Sequence, residues 1–154
     1  MSMTTSTMLW AFVLASASMV DVVILNDEID LLRYRLQLHA TLMQTTVVVE
    51  ANVTFSGKPK PLFARESLTA AEVTEHAIIL LQVPFSAAEL ADPSPWIREN
   101  AQRTFLNGWL LEHFPESLVY MSDVDELLDP AIRFTEHIQH CMVASLRHYL
   151  YHEQ

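Results

Sequence analysis

The 154-residue chain contains two glycines, Gly57 and Gly108, and one cysteine, Cys141. Phosphate loops of the Walker type and the G-x-G-x-x-G turn need more glycine than this, so both are excluded. A single cysteine excludes an internal disulfide and any cysteine-built zinc centre. Cationic side chains are also scarce: nine Lys and Arg face nineteen Asp and Glu, for a formal charge of −10 and a pI near 5.0. With no basic field to offset phosphate repulsion, nucleic acid is excluded as the partner. The balance suits a protein that holds cations, or that meets an anionic ligand through a bound metal ion. Long apolar runs are missing as well. The longest, Met8 to Val20, falls short of the about 20 residues a spanning helix needs.

What is present describes a folded domain. Apolar residues make up 51% of the chain and charged ones 18%, which excludes disorder as the main state. A domain of this length buries about 70% of its unfolded surface, enough for a core. The segment 1–19 has two readings. Its length and the small residues Ala15-Ser16-Ala17 suit a secretory signal or truncated anchor, whereas the absence of Lys and Arg from residues 2–7 suits a buried N-terminal segment. Residues 20–154 read as one unit, with no linker or repeat dividing it.

Strand-like and helix-like stretches alternate along that unit. Val20–Leu25 and Thr45–Glu50 read as buried strands, His76–Val83 as a third, Ser117–Ser122 as a fourth and Val143–Tyr151 as a last one. A helix begins near Asp27, capped by Asn26 or Asp27, with Ile29, Leu32, Leu36 and Met43 on one face. Thr69 and Glu72 form a capping box, and Ser86–Leu90 allows a helical turn. A longer helix from Trp96 to Phe114 places Ile97, Ala101, Phe105 and Trp109 on one face, and Asp129-Pro130 opens another helix. The pattern predicts an α/β fold, a mostly parallel sheet with helices on both faces.

Ligands of such sheets sit beyond the carboxyl ends of the strands. Asn26, Asp27 and Glu28 follow the first strand, Glu50 ends the second, and Asp123 and Asp125 follow the fourth. Paired carboxylates there suit a hard divalent cation, magnesium or manganese, that leaves positions open for phosphate oxygens. Such an ion neutralises a diphosphate leaving group, the chemistry of a nucleotide-sugar transferase. A D-x-D triplet also arises readily by composition, and two surface aspartates capping the next helix explain it equally well.

Four segments carry more information. DVVILNDEIDLLRYRL from Asp21, VVVEANVTFSGKPKPL from Val47, PWIRENAQRTFL from Pro95 and SDVDELLDP from Ser122 resemble, in order, glycosyltransferase family 17, the family of the bisecting N-acetylglucosaminyltransferase. The tail LRHYLYH from Leu146 resembles the strand after that family's metal motif. The second segment is the most diagnostic, and the resemblance runs from about residue 20 to 152.

The resemblance implies an A-type, Rossmann-like glycosyltransferase fold that uses UDP-GlcNAc and Mn2+ or Mg2+. It implies inverting transfer of GlcNAc to the core β-mannose of an N-glycan. Asp123 and Asp125 match the D-x-D, with Asp125 as the more direct metal ligand and Asp123 meeting ribose or metal-bound water. Asn26 and Glu50 become candidates for uridine. Arg98 and Arg103 would fork onto phosphate or lock the acidic cluster, with a salt bridge from Arg98 to Glu50 or Asp123 as the structural alternative. Lys58 and Lys60 serve the diphosphate or stand as solvated loop charges. The resemblance implies a Golgi or secretory location on a membrane anchor; a buried N-terminal segment would instead fit the cytoplasm. Because the family domain runs on past Gln154, the sequence reads as the nucleotide-sugar-binding half of an incomplete domain, its general base lying further on. Donor binding without transfer is then expected. The competing reading is a non-catalytic interaction module of the same fold, self-associating through an uncovered sheet edge, and a cation-dependent nucleotide phosphohydrolase is a weaker third.

The remaining features have structural explanations. His137 and His140, and His148 and His152, have metal-like spacings without an H-E-x-x-H, and the second pair lies in strand-like sequence. Cys141 reads as a buried thiol and Trp96 and Trp109 as core. Asn52-Val53-Thr54 is a glycosylation sequon inside the diagnostic segment.

Overall fold

The computed structural model describes residues 18–131 and 146–148. Four strands, β1 (Met19–Ile24), β2 (Thr45–Glu50), β3 (Ile78–Gln82) and β4 (Leu118–Asp123), form one parallel sheet in the order β3-β2-β1-β4. β1 and β2 are valine-rich and buried almost throughout, as strands covered on both faces must be. In register, Val20 to Ile24 lie against Thr45 to Val49, and Met19 to Ile24 against Leu118 to Asp123. The chain thus winds outward from β1 through β2 to β3 and returns to place β4 on the other side of β1. The order reverses between β1 and β4, where a crevice opens at the carboxyl ends of such strands.

Alternating side chains divide the core into two layers. Val20, Val22, Val47 and Val49 pack against Leu106 and Leu110 of the long helix α5 (Pro95–His113). Val23 and Val48 pack on the opposite face against Leu32 and Leu36 of α1 (Ile29–His39) and Ala64 of α2 (Phe63–Ser67). The short helix α3 (Ala70–Glu75) precedes β3. The Thr69–Glu72 capping box is formed in both directions, and a second one, Ser86 with Glu89, opens α4 (Ala87–Ala91).

Several expectations change. The residue at the N-cap of α1 is Glu28, not Asn26 or Asp27: its carboxylate turns back to accept the main-chain N–H groups of both, at 3.2 and 3.1 Å, and gives no side-chain cap. In α5 the buried stripe is Arg98, Gln102, Leu106 and Leu110, one residue out of phase with the expected face. Trp96, expected in the core, is 66% exposed; two residues before the buried Arg98, it lies on the opposite side of the helix. Finally, the D-x-D segment does not lead into a helix. It forms a tight turn from β4 into β5 (Glu126–Leu128), which pairs antiparallel with β6 (Leu146–His148) in a separate ribbon. The last strand is therefore outside the parallel sheet. The helix expected after Pro130 lies beyond the described residues, as do residues 1–17, His137, His140, Cys141 and His152.

Candidate functional site

A cavity of about 320 Å³ opens at the carboxyl ends of β1, β2 and β4. Asn26 and Glu28 line it from the β1 end, Asp123, Val124 and Asp125 from the β4 turn, and Gln102 from α5. A loop after β2 supplies Val53, Thr54, Phe55 and Lys60. This loop is the most diagnostic segment of the sequence. It folds back on itself through a bridge between Val53 and Pro59, with Thr54 N–H donating to the Lys58 carbonyl at 2.8 Å and Lys60 N–H to the Asn52 carbonyl at 2.9 Å. Gly57 sits at its tip with φ +83°, a conformation glycine adopts without strain.

Sequence-based candidates separate within this geometry. Asn26, Asp123 and Asp125 reach the cavity together. Partial desolvation by the surrounding turn pushes the Asp123 carboxyl up although the residue is exposed, and the neighbouring charges of Glu126 and Asp125 add to this, while Arg103 opposes it. Arg103 itself bonds Glu99 one turn earlier at 3.2 Å, so it acts on the turn through its field. Among the described residues, no group of three or more His, Cys, Asp and Glu gathers around a metal position. A pair of carboxylates fits an ion that completes its shell from phosphate oxygens and water, as magnesium and manganese do.

Lys60 and Lys58 part company. Lys60 lines the cavity, donates to the Asn26 carbonyl at 2.8 Å and lies 3.8 Å from Glu50 Oε1 and over the Phe63 ring. Burial pulls its ammonium pKa down, against the pull of Glu50, Asp27 and Glu28. Lys58 is exposed and does not line the cavity. Glu50 sits behind Lys60. Its Oε2 accepts the Ala64 N–H at 3.0 Å, and its buried Oε1 has no hydrogen-bond donor. Burial raises its carboxyl pKa despite that bond and the nearby ammonium.

Arg98 reaches neither an acidic partner nor the cavity. Its buried guanidinium donates to the carbonyls of Phe55, Glu89 and Asp92 at 2.7, 3.0 and 2.6 Å, and neither proposed salt bridge is formed. Arg98 therefore fastens the Gly57 loop and the end of α4 to α5.

A further set of residues, which sequence reasoning passed over, lies directly beneath the turn. Asp21, Arg35 and His39 are buried together between β1 and α1. Arg35 grips Asp21 with two nitrogens, at 2.9 and 2.6 Å, and donates to the carbonyls of Asp123 and Glu126 at 2.8 and 2.9 Å and to Ser122 Oγ at 2.9 Å. His39 Nδ1 bonds Asp21 Oδ2 at 3.0 Å, and Nε2 accepts the Leu128 N–H at 3.1 Å, so the ring ties β1 to β5 of the ribbon. Burial alone would raise the Asp21 carboxyl; the hydrogen bonds from Arg35 and His39, together with the Arg35 charge, outweigh it and hold it low. The signal was present in the sequence, since Asp21 interrupts an apolar strand and a charge there needs a partner.

Comparison with curated proteins and with solved structures returns no match. The family model of glycosyltransferase family 17 matches residues 1–153, essentially the whole sequence, and the chain belongs to that family.

Proposed function

We propose that this glycosyltransferase binds UDP-GlcNAc with Mn2+ or Mg2+ in the cavity at the carboxyl end of the sheet. The proposed reaction is inverting transfer of GlcNAc to the core β-mannose of an N-glycan, in the secretory pathway. One observation carries the reading. The aspartates of the β4–β5 turn stand at the cavity with an upward-shifted Asp123, where a divalent cation would relieve the crowding of like charges.

Asp125 and Asp123 would hold the metal, which supplies charge neutralisation for the diphosphate as it leaves. Lys60 brings a second positive charge to the same space, and Asn26 borders the proposed uridine end, whereas Glu50 lies behind Lys60 and outside the lining.

Isothermal titration with UDP-GlcNAc, with and without Mn2+, tests this. Metal-dependent binding in the wild type, lost in Asp125→Ala with the fold intact, is expected. No heat from a folded chain would overturn the reading and favour the interaction module. Phosphate release without an acceptor would instead point to a phosphohydrolase.

A further inference from the structure

We infer that Arg35, held by Asp21, is the positioning residue that sets the shape of the β4–β5 turn and so aims Asp123 and Asp125 at the cavity. The inference rests on the proposed metal role of those two aspartates. All three guanidinium nitrogens of Arg35 are engaged, in two directions. Nε and Nη2 face the Asp21 carboxylate of the central strand, while Nη1 bridges the carbonyls of Asp123 and Glu126, the residues that flank the turn. Nη2 also reaches Ser122 Oγ. Tyr120 lies beneath the guanidinium at 5.3 Å and sends its own hydroxyl to the Glu126 carbonyl at 2.9 Å.

Arg35 and Asp21 are fully buried, whereas the Asp123 and Asp125 side chains are exposed at the cavity. A buried planar fork thus fixes the backbone on which two exposed carboxylates are mounted. Lysine has one nitrogen and cannot hold Asp21 and both carbonyls at once.

The test compares wild type, Arg35→Lys and Asp125→Asn in the full chain. It uses amide hydrogen exchange across residues 118–128 and titration of Mn2+ by electron paramagnetic resonance in the presence of UDP. Arg35→Lys is expected to speed exchange in the turn while leaving β1 and β2 unchanged. Mn2+ binding should weaken about 10- to 100-fold, the range seen when a residue orienting metal ligands is lost. Unchanged turn exchange and unchanged Mn2+ affinity would overturn the inference, as would faster exchange throughout the sheet, which marks a general core role. Wild type that binds no Mn2+ would remove the metal reading alone, and the exchange comparison would still decide the part played by Arg35. Should Arg35→Lys not fold, Ser122→Ala removes a half-buried acceptor of the same guanidinium and is read in the same way.

Discussion

Lys58 and Lys60 stand two residues apart on one loop and meet opposite surroundings. Lys60 is drawn in beside Glu50 and the Asn26 carbonyl, while Lys58 faces solvent. Lys60→Met should therefore weaken binding of a nucleoside diphosphate about tenfold, roughly 1.4 kcal/mol, and Lys58→Met should leave it unchanged. Titration of both variants with UDP and Mn2+ checks this. Glu50→Gln should keep the fold, because an amide oxygen still accepts the Ala64 N–H and no buried charge remains to be desolvated. A melting temperature at or above that of the wild type is the expected result. Sequence alone does not separate the two lysines: both belong to the same motif, and only the fold-back of the loop decides which is drawn inward. Asn26, Asp123 and Asp125 were easier to place, because residues at the carboxyl ends of parallel strands converge by topology.

At the scale of elements, α5 and the Gly57 loop depend on one side chain. Arg98 donates to three carbonyls from a buried position, so Arg98→Met leaves acceptors without donors and should destabilise the chain by about 3 kcal/mol in chemical denaturation. Gly57→Ala strains a positive φ and should cost about 1 kcal/mol. The extents of α5 and β2 were legible, α5 expected from Trp96 to Phe114 and found at Pro95–His113, β2 from its valine run. The phase of α5 was not. Ile97, Ala101, Phe105 and Trp109 look like the inward face on hydrophobicity alone, yet the buried stripe begins with Arg98 and Gln102. Polar residues bury there because loop carbonyls and the cavity meet the first half of the helix, and an apolar pattern has no means of recording that.

The whole molecule carries opposing carboxylate shifts. Glu50 and Asp123 are raised, so the folded state takes up their protons more readily than the unfolded chain and gains stability as pH falls below their raised values. Asp21 and Glu72 are lowered, Glu72 to about 2 by Arg33 and Thr69. Their stability is full above the ordinary values of 3.8 and 4.5 and is lost as pH falls below them. Melting temperature should therefore rise as pH falls from neutral through the raised values of Glu50 and Asp123, and drop once pH falls below the ordinary values of 3.8 and 4.5, as calorimetry across that range would show. Relief of the formal charge of −10 works in the same direction on the upper limb. The α/β class was legible because Val-rich runs alternate with capped helical stretches. β6 falls inside the strand expected at Val143–Tyr151, but its antiparallel pairing with β5 was not legible, since the three-residue β5 has too few side chains to show a period.

The order β3-β2-β1-β4 also has a consequence in time. β1, β2 and β3 join through neighbouring stretches of chain, whereas β4 meets β1 only when Met19 finds Leu118 across nearly the whole described sequence. Closure of so long a loop is entropically slow, so the strand that carries the aspartate turn docks late. Asn26 and Asp123 are strangers until that step, and the cavity between them comes into being with it. A ligand held there would act as a latch on the last event of folding, slowing departure from the native state without hastening arrival.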